Sequence, residues 1–431
     1  MSRVIVLGAG LTGLSAAWHL AQRGVAATVL ERCSRPGGAC RTLEVDGFHF
    51  DLTGHLLHLA RPESRPLLRR LGLGGTFRRH RRRAGVALAG RVTPYPIQIH
   101  THRLPAEVRR DCLLGFVEAR LAVRGEEASS FSDWVLQRFG VGFARHFFFP
   151  YNRKLYCTDP AEMTTEWVGR YVPKPDLADV IDGAFGLFPA SRAVGYNATF
   201  LYPRDGGIAV LGEALAARLP DLRLDCPVRA LHLGERALEL ESGERMGWDV
   251  LVATAALSDL AALCVDLPPE AREAAAQLRA VAVVNLNLGV RGRAPRREHW
   301  LYVAEERYPF YRVGFPSNHG HLAPDGHHTV SVEVSVPAGA PTPGDLAERC
   351  LAGLVELGAL REPDEVIVRT EARIDPAYVV FDGHRPHAVA ALRDHLRQAG
   401  VTLAGRWAEW KYSTMEDALW DGATAARRVA P

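Results

Sequence analysis

Val4-Ile5-Val6-Leu7-Gly8-Ala9-Gly10-Leu11-Thr12-Gly13-Leu14-Ser15-Ala16-Ala17 passes from an apolar run through a glycine turn into a helix start with no residues between them. The apolar run reads as a buried strand, and the glycine spacing puts a helix N-terminus where it can face a pyrophosphate. Gly8 permits the tight turn, Gly10 lets backbone N–H groups approach the anion, and Gly13 with Ala17 lets the helix pack close to the strand. The order predicts a dinucleotide site held by backbone, with side chains kept out of the way.

The residues that follow bear on which dinucleotide it is. Ala27-Thr28-Val29-Leu30 predicts a second parallel strand ending at Glu31, whose carboxylate can accept both ribose hydroxyls and would repel a 2′-phosphate. Arg35-Pro36-Gly37-Gly38-Ala39-Cys40-Arg41-Thr42 adds a glycine pair whose N–H groups can form another anion nest, with Arg41 at hand. Two adjacent phosphate sites in one unit suit an extended FAD better than an NAD that comes and goes. The glycine motif by itself is weak evidence, equally readable as a loop and a packed helix; strand context, Glu31 and the second pair strengthen it.

At 431 residues and 47% hydrophobic the chain can bury a large core and is long for one domain. Asp249–Ala255 and Val401–Arg406 read as later buried strands and Met415–Arg428 as a helix, so the fold class expected is α/β. A Rossmann-type FAD-binding domain is expected from 1–75, 203–275 and 398–431. A substrate domain, helical over 105–190 with antiparallel strands at 281–290, 299–304 and 328–336, is expected from 76–202 and 276–397. Residues 337–344 read as a surface loop.

Net charge is +3, carried almost wholly by arginine, which argues weakly for any partner and gives no reason to expect nucleic acid. The Arg78–Arg83 run reads as a solvated face, part of which can approach the substrate; its alternative is docking on anionic lipid. Seven scattered cysteines without CxxC spacing indicate neither a disulfide framework nor a metal site. With no export signal and no apolar run long enough to span a bilayer, a cytoplasmic protein is expected, its oligomeric state left open between monomer and homo-oligomer.

Outside the nucleotide segments stand Thr93-Pro94-Tyr95-Pro96-Ile97-Gln98, a proline-stiffened extended piece presenting Tyr95 and Gln98, and Pro150-Tyr151-Asn152-Arg153-Lys154-Leu155-Tyr156. Trp167-Val168-Gly169-Arg170-Tyr171, Gly195-Tyr196-Asn197-Ala198-Thr199-Phe200-Leu201-Tyr202-Pro203-Arg204-Asp205-Gly206-Gly207, Trp300-Leu301-Tyr302 and Pro309-Phe310-Tyr311-Arg312 follow. Helix packing and rigid connectors account for many such clusters. An arginine flanked by tyrosines is also how a protein holds a nucleotide diphosphate, guanidinium on phosphate and rings on base or sugar.

Taken in order with Thr53-Gly54-His55 and Gly405-Arg406-Trp407-Ala408-Glu409-Trp410-Lys411-Tyr412, these segments run along nearly the whole chain. In that collinear series the chain resembles the UDP-galactopyranose mutase family, particularly its eukaryotic-type members, within the flavin amine oxidase and protoporphyrinogen oxidase superfamily. The resemblance implies an FAD enzyme that interconverts pyranose and furanose forms of an NDP-sugar. There the reduced flavin attacks the anomeric carbon through N5, a flavin–sugar adduct forms, and the diphosphate returns without net redox; NAD(P)H is a candidate external reductant.

Position by position, the resemblance gives Tyr95 and Gln98 to the base. It gives Arg170, Asn197, Tyr302, Arg312, Tyr378 and Tyr412 to the diphosphate or sugar, with Tyr151, Asn152 and His319 added to that site. His55, Arg312 and Arg170 are the candidate catalytic residues, although the family arginine aligns at Tyr171, one position after Arg170. Besides the glycines, Glu31 and Arg41, the flavin contacts implied are Leu11, Thr12, Arg32, Gly38, Thr53 and Gly54, with His55, Val228, Gly405, Arg406 and Met415. Departures stand at Thr53, where the family has glycine, at His319, where it has tyrosine, and at Ser413–Asp417, where it has an Asn-containing turn. They leave the cofactor and weaken UDP-galactose as the particular substrate. Two other readings stand beside this one: an oxidase or desaturase that takes hydride from a carbon, and a non-catalytic flavoprotein.

Overall fold

Val4–Leu7 is buried at every position and lies between two parallel neighbours, Ala27–Leu30 and Val250–Ala253. The computed structural model describes residues 3–122, 127–189, 192, 194–195, 197–362 and 365–430. Val401–Leu403 extends the sheet beyond Val250–Ala253, and Leu222–Arg223 extends it beyond Ala27–Leu30, giving five parallel strands. Uninterrupted apolar strands of this kind belong to a parallel sheet covered on its faces. Helix Leu11–Ala21 packs against the sheet, and the C-terminal helix Met415–Val429 packs against that helix. Small residues permit the second contact: a Cβ at Gly422 would lie 2.3 Å from the Thr12 carbonyl oxygen, and the Ser15 hydroxyl donates to Leu419 O at 2.6 Å.

A second sheet of seven strands carries the other half of the molecule. Ala280–Arg291 sits between His327–Pro337 and Val366–Val379, antiparallel to both. Arg312–Gly314 and Trp300–Val303 continue from His327–Pro337 to Ala84–Leu88, which pairs parallel to Trp300–Val303, and Arg91–Pro94 closes the edge. The sheet is therefore mixed. Helices Ala106–Leu121, Phe131–Phe143, Phe149–Tyr156 and Leu177–Phe185 surround it. The strands expected at 281–290, 299–304 and 328–336 lie within two residues of those observed.

One expectation needs correction. The extended piece at 93–98 ends with Pro94, and Ile97–Ile99 forms a single 3₁₀ turn, because that turn buries Ile97, Gln98 and Ile99 together. The basic run is a strand, Phe77–Arg81, paired antiparallel with Thr199–Pro203; Arg78, Arg79, Arg81 and Arg83 are exposed, and Arg82 is the part that turns inward. Among the described residues no helix is long and apolar enough to cross a membrane.

Candidate active site

The glycine turns of the parallel sheet meet in register. Gly8, at φ +102°, donates to Leu30 O at 2.8 Å, and Gly37 N donates to Ala9 O at 2.8 Å, so the second glycine pair lies directly on the first turn. A Cβ at Gly13 would fall 1.9 Å from Gly8 O, and one at Gly38 would fall 3.0 Å from the Gly10 Cα. Gly405, at φ +90°, closes the opposite side against Thr12. Gly10, Leu11, Thr12 and Gly37 open into a cavity of about 380 Å³, which Arg406 and Met415 also line. Helix Leu11–Ala21 begins there with no acidic side chain in its first turn, leaving its N–H groups for an anion.

Arg406 lines this cavity; its buried Nε has no partner among the described residues, while its terminal nitrogens hold Ser413 O and Ala377 O. Backbone approach, helix N-terminus and unpartnered guanidinium nitrogen together fit a flavin dinucleotide. Glu31 stands beside the turn, accepting from Ala9 N at 2.7 Å and Cys33 N at 3.0 Å. The structure does not bring every candidate inward. Arg32 is exposed and faces Asp259, Arg41 Nε donates to Gly38 O, and Val228 begins a small separate sheet two residues after Cys226, whose N–H donates to Glu31 O at 2.8 Å.

Thr53-Gly54-His55 crosses the floor of the cavity and is pinned from the antiparallel sheet. Thr53 N donates to Asn285 Oδ1 and Gly54 N donates to Glu333 Oε1, both at 3.0 Å. Thr53 holds φ at +68°, a left-handed conformation that a β-branched residue adopts only under strain. Burial pushes the His55 imidazole down to about 4, with Glu333 opposing in part, so the ring is uncharged at neutral pH.

Glu333 is the hub of this wall. Besides Gly54 it accepts from Tyr311 OH at 2.5 Å and takes Arg312 at 2.5 and 2.6 Å. Arg312 is cross-strand partner to both Glu333 and Tyr302, so the sheet register itself sets guanidinium, carboxylate and ring side by side.

Beyond Arg312 the cavity becomes aromatic. Tyr95 and Tyr302 face each other at 4.8 Å, Tyr151 stands perpendicular to Tyr302 at 5.6 Å, and Tyr378 stacks on Tyr412 at 6.5 Å. Gln98 is buried with its Nε2 on Pro173 O and its Oε1 without a partner among the described residues. Arg82 lies over the Tyr95 ring and donates to Asn197 Oδ1, joining two residues of the expected substrate site. Asn152 lines the cavity while its amide caps Phe148 O. His319 is packed among Tyr202, His299 and Phe200 with Nδ1 buried and without a partner among the described residues, and burial together with His299 and His80 keeps it uncharged.

Arg170 is not brought to the cavity. Its guanidinium holds Asp417 at 2.8 Å at the mouth, and the neighbouring Tyr171 lines the cavity instead, against Tyr412. Asp417 also caps the C-terminal helix through Thr414 and binds Arg61, while Glu416 is buried on Ala60 N, Arg61 N and Ser64 Oγ. Those demands explain the acidic pair at the turn where an asparagine is usual in the mutase resemblance.

The family model for flavin containing amine oxidoreductases matches residues 11–430. The chain belongs to that family. Membership implies FAD as the cofactor of this flavoenzyme fold. Over its entire length the chain is similar in structure to a reduced UDP-galactopyranose mutase, with a TM-score of 0.93, 26% identity and 95% of that chain covered. A putative protoporphyrinogen oxidase from Exiguobacterium sp. 255-15 shares the fold at a TM-score of 0.76 and 18% identity, covering 99% of this chain and 98% of that one.

Sequence similarity to curated members is local. A zeta-carotene-forming phytoene desaturase from Myxococcus xanthus is 50% identical over 50 residues, 12% of this chain and 10% of that protein. Protoporphyrinogen oxidase 2 of Arabidopsis thaliana is 42% identical over 71 residues, 16% and 14% of the two chains.

Several members of the site carry no motif. Glu333 and Asn285 each interrupt an apolar strand, in Ser331-Val332-Glu333-Val334 and Val284-Asn285-Leu286-Asn287, and a polar group at a buried strand position was their one signal. Asp51, which accepts from Tyr202 OH at 2.6 Å and Thr42 Oγ1 at 2.7 Å, had none.

Proposed function

We propose that this flavoenzyme is an NDP-sugar mutase, interconverting pyranose and furanose forms without net redox. One observation carries the reading: the cavity runs unbroken from the glycine turns to the Tyr95–Tyr302 pair, with Arg312, Tyr378 and Tyr412 between. A flavin at one end and an aromatic slot at the other leave the middle for a diphosphate and a sugar. Structural similarity along the entire chain to a reduced UDP-galactopyranose mutase supports the same assignment.

Bound and reduced, with NAD(P)H as a candidate donor, FAD would supply an electron-rich nucleophile for the anomeric carbon. Tyr95 and Tyr302, in contact with each other at 4.8 Å, form one aromatic wall on which the base stacks, and Gln98 Oε1 accepts from its edge. Arg312 and the Tyr378 and Tyr412 hydroxyls hold the diphosphate as it leaves and returns, with Asn197 positioned by Arg82. His55 presents an uncharged imidazole beside the sugar, and Arg406 stands at the flavin side. The aromatic walls exclude water. In this reading residues 1–75, 203–275 and 398–431 bind FAD, the rest binds substrate, and the protein works in the cytoplasm.

A second reading has its own observation. Arg312 is already neutralised by Glu333, and the remaining cavity walls are mainly aromatic and aliphatic, as an oxidase or desaturase of an apolar substrate would have. One experiment separates the two. The flavoprotein, reduced with dithionite under nitrogen, is incubated with a panel of NDP-hexoses, and ring-size isomers are sought by chromatography. The mutase reading expects isomers and an unchanged flavin spectrum. Bleaching of the oxidised flavin by a carbon substrate, with no isomer from any NDP-hexose, selects the oxidase.

A further inference from the structure

A second cavity, of about 230 Å³, opens where helices Leu11–Ala21, Ser64–Arg70 and Met415–Val429 meet. It shares no lining residue with the site described above. The C-terminal helix separates the two, since Met415 and Ala418 line the first and Leu419, Trp420 and Ala423 line the second. Pro66 and Leu67 complete the apolar lining, and the Trp420 ring is anchored by its Nε1–H on Ser64 Oγ at 3.4 Å. An apolar cavity of about 150 Å³ holds benzene, so this slot has room for a fused heteroaromatic ring.

Two acceptors stand in the slot. His19 Nδ1 lies 2.8 Å from Ser15 O, and a carbonyl only accepts, so Nδ1 carries the proton and Nε2 presents a lone pair. Burial pushes the His19 imidazole down, as do the charges of Arg70, Arg23 and Arg427, with the Ser15 bond opposing, so the ring is uncharged at neutral pH. Glu63, just ahead of helix Ser64–Arg70, adds a carboxylate to the lining.

The rim is basic. Arg70 lies over the Trp18 ring at 4.5 Å and donates to Gln22 Oε1 at 2.7 Å. Arg427 lies over the Trp420 ring at 5.8 Å and donates to Thr424 Oγ1 at 2.8 Å, while Arg61 approaches the same ring at 5.5 Å, bound to Asp417. Arg23, Arg70 and Arg427 meet no carboxylate among the described residues. Those three guanidinium groups, less Glu63, leave two positive charges beside the slot, the complement of a phosphate monoester. An apolar chain would leave the His19 and Glu63 acceptors without donors, and inorganic phosphate would leave the slot unfilled. A flat ring that carries both an amino group and a phosphate satisfies all three features.

We propose that this cavity is a nucleotide site separate from the flavin and its substrate: an aminopurine lies in the slot, its amino group donating to His19 Nε2 and Glu63, and its phosphate lies on Arg70 and Arg427. AMP is the simplest ligand of that class. The inference stands independently of the reaction assigned above.

The test titrates the purified, flavin-loaded protein with AMP by isothermal titration calorimetry at physiological salt. The expected result is saturable binding of one AMP per chain, with IMP, whose base turns a carbonyl toward the His19 lone pair, at least tenfold weaker. Arg70→Gln and Glu63→Ala, both at exposed positions, should each weaken AMP at least tenfold, because each removes a charge-assisted hydrogen bond. Tyr302→Leu, which alters the aromatic wall of the first cavity, should leave AMP binding unchanged. Flavin content and far-UV circular dichroism check that the variants fold. No saturable AMP binding in the millimolar range, equal affinity for AMP and IMP, binding indifferent to both rim variants, or binding lost in Tyr302→Leu would each overturn the proposal.

Discussion

At the scale of single residues, Thr53 and Glu333 show how the cavity floor is held. Thr53 keeps a left-handed backbone because Asn285 takes its N–H and Glu333 takes that of Gly54. Glycine would occupy the same φ without strain, so Thr53→Gly should raise stability by about 0.5–1 kcal/mol in urea denaturation. A loss would mean that the Thr53 side chain contributes more than its backbone costs. Glu333→Gln acts in the other direction. It leaves Arg312 buried beside a neutral amide, and breaking such a pair costs about 3 kcal/mol. A diphosphate would then meet an uncompensated guanidinium, so in the mutase reading UDP-hexoses should raise the melting temperature more in Glu333→Gln than in the parent. Equal shifts in the two proteins would show that Glu333 and the ligand do not compete for Arg312.

Elements show where sequence was sufficient and where it was not. The turn Gly8–Gly13 was legible because backbone alone makes it, and a missing side chain is visible in any sequence. The long strands were legible through their apolar runs. Glu333 and Asp51 were not, and which member of the Arg78–Arg83 run turns inward was not, because these roles exist only once the register of Arg312–Gly314 on His327–Pro337 and the pairing of Phe77–Arg81 with Thr199–Pro203 are set. Arg170 misled for a related reason: the helix cap that positions Asp417 draws the guanidinium outward, and sequence neighbours cannot show that. The contact between the first and last helices is equally tertiary and equally strict. A methyl group at Gly422 would meet Thr12 O at 2.3 Å and Ala16 N at 2.7 Å, atoms of the helix whose N-terminus faces the cofactor. Gly422→Ala should therefore lower flavin occupancy of purified protein several-fold, measured by its absorbance at the flavin band, while Gly344→Ala, exposed and with nothing near its added methyl, should keep both stability and flavin.

Across the whole molecule the cavity lies between two sheets, and its walls carry imidazoles held uncharged: His55, His58, His299 and His319. Burial pushes His299 down to about 3, with Arg83 and His80 adding to it, and His55 down to about 4. An unfolded chain takes up a proton on each near pH 6.5, whereas the folded chain keeps His55 neutral to about pH 4 and His299 to about pH 3. The stability these sites permit is therefore complete above pH 6.5 and is lost progressively as pH falls toward 4, where the unfolded state binds more protons. His299 is almost fully buried, and alone should cost on the order of 2 kcal/mol by the lower end of that window. Melting curves followed by flavin fluorescence should fall steeply between pH 6.5 and 4. Because the same walls join both sheets, flavin release and unfolding should coincide there. In His299→Asn the fall should be shallower, since the side chain no longer titrates; a slope identical to that of the parent would mean that the buried imidazoles are not what sets the acid limit of the fold.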